Sequence, residues 1–154
     1  MQTICRPSTR TRSWKESWLD NMIMDTISAR IVALEEAALT RWGSGDPSGF
    51  LEITAPDVVY FDPYVLHRVD GLEALTEYYQ PIWGKIFFDR FELINPNVQV
   101  IGDIAVMTFN YVSYKGEEAD RWNCTEVYRR KDDRWQIIQS HWSYTEVFRY
   151  KMSP

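Results

Sequence analysis

Two short turn signals in the back half of the chain do most to limit its fold. Gly102-Asp103 separates Phe91–Ile101 from Ile104–Lys115, and Asp132-Asp133-Arg134 separates Trp122–Lys131 from Trp135–Tyr144. The flanking runs are rich in β-branched and aromatic residues, and turns this tight return a strand antiparallel to itself. Gly116-Glu117-Glu118 joins the two hairpins, so an antiparallel meander is expected after residue 90.

The front half reads as helical. Ile27, Ile31, Leu34, Ala38 and Trp42 recur at intervals of three and four, one face of a 3.6-residue period. Asp25 is the expected cap, and Gly43 the left-handed residue that ends the helix. A short second helix is expected from Asp46 and Pro47 through Phe50, Leu51 and Ile53. Val58–Phe61 reads as a strand closed by Asp62-Pro63. Asp70 with Glu73 predicts a capping box for a third helix carrying Leu72, Leu75, Tyr79 and Ile82, ended or kinked by Pro81. Helices followed by a meander make an α+β plan, with three N-terminal helices covering one face of a strongly curved antiparallel sheet. The expected result is a cone with a ligand pocket inside.

No internal repeat or linker divides the chain, so residues 25–154 are expected to form one domain. Residues 1–24 stand apart. Arg6, Arg10, Arg12 and Lys15 precede the first acidic residue, Glu16, among Ser and Thr. That pattern is shared with transit peptides, although Trp14, Glu16 and Trp18 fit one poorly. The expectation is a disordered or loosely attached extension, or a start at Met22 or Met24.

Seventeen basic residues against twenty-two acidic ones leave a net charge of −5, which argues against a general nucleic-acid or anionic-membrane binder. No apolar run approaches the ~20 residues of a membrane span. Cys5 and Cys124 are no disulfide framework, so a reducing, cytoplasmic setting is expected. His67 and His141 are the only histidines and no C-x-x-C or H-x-x-x-H occurs, so neither metal nor cofactor is expected. Seven Trp, nine Tyr and seven Phe must instead line a core, a cavity or a subunit interface, because flat aromatic surface is costly in water.

Glu126 is the first candidate for chemistry. Strand alternation puts it with Trp122, Cys124 and Tyr128 on one largely apolar face. A carboxylate there either makes a structural hydrogen bond, to a tyrosine or Arg130, or is a tuned acid in a pocket. Asp62 ends a strand with Tyr64 and His67 nearby, and is either a turn aspartate bonding its own backbone or a second working carboxylate. Tyr60, Tyr78, Tyr79, Asn110, Trp142 and Tyr144 are the candidate ligand contacts.

From Ala33 to Tyr144 the chain resembles the nuclear-transport-factor-2-like, or cystatin-like, superfamily. The resemblance rests on F-D-P then V-D-G-L, on N-P-N-V-Q-V-I-G-D, and on E-V-Y-R-R-K-D-D-R-W-Q-I-I-Q-S-H-W-S. Within it the chain is most similar to the association domain of calcium/calmodulin-dependent kinase II and its stand-alone bacterial relatives. That resemblance implies a cone of three helices on a curved sheet and self-association, as a homodimer or larger, through the sheet's outer face. Those domains bind small carboxylates through arginines inside the cone. The matching positions here are Asn110, Glu126 and Trp142, so an anionic ligand is not expected. Nor is kinase activity, since no Gly-rich loop, V-A-I-K, H-R-D or D-F-G occurs.

Ketosteroid isomerases and SnoaL-like polyketide cyclases offer a second comparison. Asp62 in F-D-P is similar in place to the isomerases' general base, Glu126 to their oxyanion-bonding aspartic acid, and Trp142 to a pocket tryptophan. Their oxyanion tyrosine would fall at Ala38, so a donor phenol would have to come from Tyr60, Tyr78 or Tyr114. The resemblance implies a cofactor-free isomerase or lyase acting on a small neutral organic molecule, Asp62 as base and Glu126 as acid. The alternative it leaves open is a non-catalytic association or ligand-binding module.

Overall fold

The computed structural model describes residues 13–145. Helix α1 (Trp14–Trp42) starts well before Asp25, because Ser13 and Glu16 form the capping box. Ser13 Oγ accepts from the Glu16 amide at 3.3 Å, and the Glu16 carboxylate accepts from the Ser13 amide at 2.8 Å. Residues 14–24, expected as part of a loose extension, therefore continue the helix, while residues 1–12 of that extension lie outside the described residues. This first stretch has an exposed side chain at nearly every position, Trp14 and Trp18 included, and Ile31 is the first fully buried one.

Gly43 ends α1 in right-handed backbone, at φ −69°, rather than in the expected left-handed one. Its lack of a side chain serves packing instead: a Cβ there would lie 2.2 Å from the Phe88 ring. The left-handed residue is Gly45, at φ 82°. Asp46 accepts from the Ser48 amide at 3.0 Å, but the N-cap of α2 (Ser48–Ile53) is Pro47, not the expected Asp46, and the helix has no side-chain cap. Strand β1 (Thr54–Phe61) follows, and the two-residue β2 (Val69–Asp70), unmarked in the sequence, pairs back onto it. Asp70 belongs to β2 and its carboxylate accepts from Arg68 at 2.6 Å. It caps nothing, and α3 (Leu72–Tyr79) starts from Gly71 without a side-chain cap. Pro81 lies in the 3₁₀ turn Gln80–Ile82 that closes it.

The meander forms as the turn signals dictate: β3 (Arg90–Ile101), β4 (Ile104–Lys115), β5 (Glu118–Lys131) and β6 (Arg134–Tyr144). Asp132 and Asp133 both take positive φ, the geometry a tight two-residue hairpin needs. The sheet order is β2-β1-β6-β5-β4-β3. One joint departs from the all-antiparallel expectation, since β1 runs parallel to β6. Register shifts in β3 between Ile94 and Asn97, and in β6 at Ile138, opposite Val127 and Tyr128, add the local bends that let the sheet curl over the helices. Ile31, Ala38 and Leu39 of α1, Phe50 of α2 and Leu75 of α3 meet Val58, Met107, Tyr128 and Ile137 of the sheet in one core. Among the described residues, no helix is long and apolar enough to cross a membrane.

Candidate functional site

Cross-strand register arranges the inner face of β4, β5 and β6 in rows. Ala105, Tyr128 and Ile137 form one row, followed by Met107, Glu126 and Ser140, then Phe109, Cys124 and Trp142, then Tyr111, Trp122 and Tyr144. The first rows are buried and the last opens to half-exposed side chains, so the curled sheet has a deep end and a rim. Between this face and the helices lies a cavity of about 940 Å³. Of the residues expected there, Asp62, Glu126, Tyr60, Tyr78, Tyr79, Trp142 and Tyr144 all line it.

Asn110 does not. The strand period groups it with Thr108, opposite Met107, Phe109 and Tyr111, and it is exposed on the outer face. There its amide nitrogen donates to Asn123 Oδ1 at 2.6 Å.

Asp62 is held by four donors. Its Oδ2 accepts from Tyr60 Oη at 2.9 Å and Tyr78 Oη at 2.7 Å. Its Oδ1 accepts the amides of Tyr64 at 2.8 Å and Val65 at 3.1 Å, an Asx turn just past the end of β1. Asp62 is thus a turn aspartate by one oxygen, and by the other it holds two phenols in the cavity wall. Burial first, then the Tyr79 and Asp62 neighbours, pushes the Tyr60 phenol well up, and burial followed by the bond to Asp62 does the same for Tyr78. Both phenols therefore keep their protons near neutral pH. Tyr114, the third candidate phenol, lines the cavity with the Arg90 guanidinium 3.5 Å from its ring centroid.

At the deep end Glu126 is fully buried and faces a second fully buried carboxyl, Glu35 of α1. Tyr128 Oη lies 2.8 Å from an oxygen of each. Ser140 Oγ donates to the other Glu126 oxygen at 2.8 Å, and the Trp142 indole N–H donates to Ser140 Oγ at 3.0 Å. No described ion pair involves either glutamate. Burial, then the neighbouring Glu126 charge, holds Glu35 well above the ordinary carboxyl range. The sequence reading did not single out Glu35, although burial raises this acid in the apolar wall. The available signal was its position four residues after Ile31 and three before Ala38, on the buried face of α1.

Two buried side-chain atoms among the described residues have no hydrogen-bond partner, Glu35 Oε1 and Tyr111 Oη. Tyr111 also lines the cavity.

A helix-backed curled sheet around an aromatic cavity defines the nuclear-transport-factor-2-like class of cone folds. A structure of a candidate ketosteroid isomerase from Parabacteroides distasonis is 47% identical, with TM-score 0.69, over 76% of this chain and 86% of that one. A nuclear-transport-factor-2-like protein from Pseudomonas putida is 26% identical, TM-score 0.69, over 77% and 87%. More narrowly, residues 28–146 match the calcium/calmodulin dependent protein kinase II association domain, and the chain belongs to that family. The calcium/calmodulin-dependent protein kinase type II alpha chain of Drosophila melanogaster is 26% identical over 119 residues, 72% of this chain but 22% of that protein. The chain thus spans about a fifth of that relative's length.

Proposed function

We propose that the cone binds a small, non-anionic organic molecule and acts on it by cofactor-free acid–base chemistry of the isomerase or lyase kind. The observation that carries this reading is Asp62, fixed in an aromatic cavity with two phenolic protons on one oxygen. Asp62 accepts a proton from a carbon next to a ligand carbonyl, and negative charge moves from the carboxylate to the carbonyl oxygen. Hydrogen-bond donors follow charge, because a charged acceptor binds them about twice as strongly as a neutral one. Tyr78 first swings from Asp62 Oδ2 to the ligand carbonyl oxygen, which frees the lone pair that takes the carbon's proton; Tyr60 stays on Asp62 and Tyr78 donates to the new oxyanion. Tyr111 supplies a further hydroxyl to orient the ligand.

The test is deuterium exchange at the α-carbon of a cyclic ketone in D₂O, followed by NMR. Wild-type protein accelerates exchange and Asp62→Asn loses about 10²–10⁴ of that acceleration, in line with general-base catalysis. Equal exchange by Asp62→Asn, with the ketone still bound, would sink the base assignment.

A second reading, an association module, is favoured by the family match and by apolar surface outside the cone. Ile101 and Ile94 are exposed at β3, and Trp14, Trp18 and Ile23 on α1. The two readings are compatible, since these residues lie away from the cavity lining. Sedimentation equilibrium showing only a species near 18.3 kDa would refute self-association.

A further inference from the structure

The hydrogen atoms at the deep end of the cavity do not add up if both glutamates are ionised. Tyr128 has one phenolic hydrogen, yet its oxygen lies 2.8 Å from Glu35 Oε2 and 2.8 Å from Glu126 Oε2. Two carboxylates cannot both receive it, and the unserved one would face the phenol lone pairs while buried. One added proton resolves the arrangement. Placed on Glu35 Oε2, it donates to Tyr128, Tyr128 donates to Glu126, Ser140 donates to Glu126 and Trp142 donates to Ser140. Every bond then has one hydrogen, and the chain converges on Glu126.

Placing the proton on Glu126 reverses the phenol and gives Glu126 a hydrogen pointing away from the cavity, toward Tyr128. Glu35 would then be the carboxylate. Its other oxygen has no partner, whereas Glu126 Oε1 keeps the Ser140 hydroxyl whichever way the phenol points. The charge belongs where the donors are. Other titratable groups facing the pair are Cys124 and Tyr128 of β5, Tyr111 of β4 and Tyr79 of α3. None of these is cationic, so none favours a second negative charge. The direction in which burial drives Glu35 agrees.

We propose that Glu35, Tyr128 and Glu126 form one proton-holding unit in which Glu35 keeps a single proton and Glu126 meets the cavity as a carboxylate, selecting ligands that carry a hydroxyl or a protonated amine. This deepens the cavity reading and rests on it for the ligand, not for the proton. It also reverses the role expected of Glu126, which becomes an acceptor. The donor must come from the ligand. Because Glu126 lines the cavity and Glu35 does not, the carboxyl that contacts ligand differs from the carboxyl that stores the proton.

The proton is located without any ligand, by NMR of protein carrying ¹³C at the glutamate carboxyls. At pH 7 one wild-type resonance is expected at the position of a protonated carboxyl, absent in Glu35→Gln and retained in Glu126→Gln. A wild-type spectrum with every glutamate ionised overturns the unit even if no variant folds, and a protonated resonance that survives in Glu35→Gln overturns the assignment. Ligand choice is read by calorimetry with naphthylmethylamine, naphthylmethanol, methylnaphthalene and naphthoate, which share one ring system. The amine and the alcohol are expected to bind on the order of tenfold tighter than methylnaphthalene, with naphthoate weakest. Glu126→Gln abolishes the amine's advantage and Glu35→Gln preserves it. Naphthoate binding as tightly as the alcohol overturns the selection rule while leaving the cavity reading intact. Failure of all four to bind overturns the cavity as a ligand site for such molecules, and the selection rule with it, whatever the NMR shows.

Discussion

The cavity has a carboxylate site at each end, and they solve the same problem in opposite ways. Near the rim, Asp62 is half-buried and gathers two phenols and two backbone amides around a single charge. In the deep end, Glu35 and Glu126 are both fully buried and have two hydroxyls between them. A surplus of donors stabilises charge where water can still help; a deficit is met by retaining a proton where it cannot. The comparison teaches that residue type alone, acid in a pocket, leaves the charge state open. Donor count decides it.

The largest expected effect is at the shared donor. Tyr128→Phe removes the hydroxyl between two buried carboxyls and leaves an oxygen of each without its partner. An unsatisfied buried polar group costs about 1–3 kcal/mol, so the loss should be about 3 kcal/mol in urea unfolding at neutral pH. A loss under about 1 kcal/mol would break the comparison, because the two carboxyls would then be bonding each other directly. Tyr128 would not be the bridge.

A pH series sharpens the same contrast. Glu35 is held above its unfolded value by burial and by Glu126, so folding favours its protonated form. Between the two values the native state binds more protons than the unfolded one, and stability falls as pH rises. The contribution is complete below the unfolded value of about 4.5, is lost as pH climbs toward the folded value, and is flat above it. The slope for one proton is at most about 1.4 kcal/mol per pH unit. Glu35→Gln removes that slope, so wild type minus variant should decline from pH 4.5 upward. Half-buried Asp46 and exposed Asp57 are lowered by their hydrogen bonds, to Ser48 and Arg41 and to Arg129 respectively, and tilt both proteins the other way. Only the difference curve isolates Glu35. A difference that rises with pH would mean Glu35 is the ionised partner.

These two sites also show how far the sequence reached. Period-two alternation finds Glu126 and its neighbours on the inner face, and the turn residues fix the hairpins that align Glu126 with Ser140. Period two also links Tyr60 of β1 to Asp62 just past the strand's end, whereas Tyr78 arrives from α3 by tertiary packing, which no local pattern records. Glu35 is different again. Its position on the face of Ile31 and Ala38 is readable, but a helical glutamate ordinarily marks the solvent side, and only Tyr128, 93 residues away, makes its burial tolerable. Asn110 fails for the opposite reason. Its alternation with Thr108 was readable, and a resemblance to arginine positions overrode it. The capping box at Ser13 and Glu16 was likewise visible in S-x-x-E, in a stretch whose basic, Ser-rich composition argued for a loose extension.

The smallest effect should come from the rim. Tyr78→Phe removes one of four donors from Asp62, and three remain: Tyr60 and the amides of Tyr64 and Val65. Asp62 and Tyr78 are only half-buried, so water can take the vacated position on Oδ2. A hydrogen bond replaced by water is worth about 0.5–1.5 kcal/mol at most, and the lower end applies here. Urea unfolding of Tyr78→Phe should therefore show well under a third of the loss seen in Tyr128→Phe, although both changes delete one phenolic oxygen from one carboxylate cluster. If the two losses are equal, access to water does not distinguish the ends of the cavity. Asp62 would then be as desolvated as Glu126, and a surplus of donors would be a requirement of burial at both sites. If the rim loss is the smaller, Asp62 keeps its charge with a donor to spare. That spare donor is the one the acid–base reading needs, because Tyr78 can leave Asp62 for a ligand oxygen at little cost to the fold.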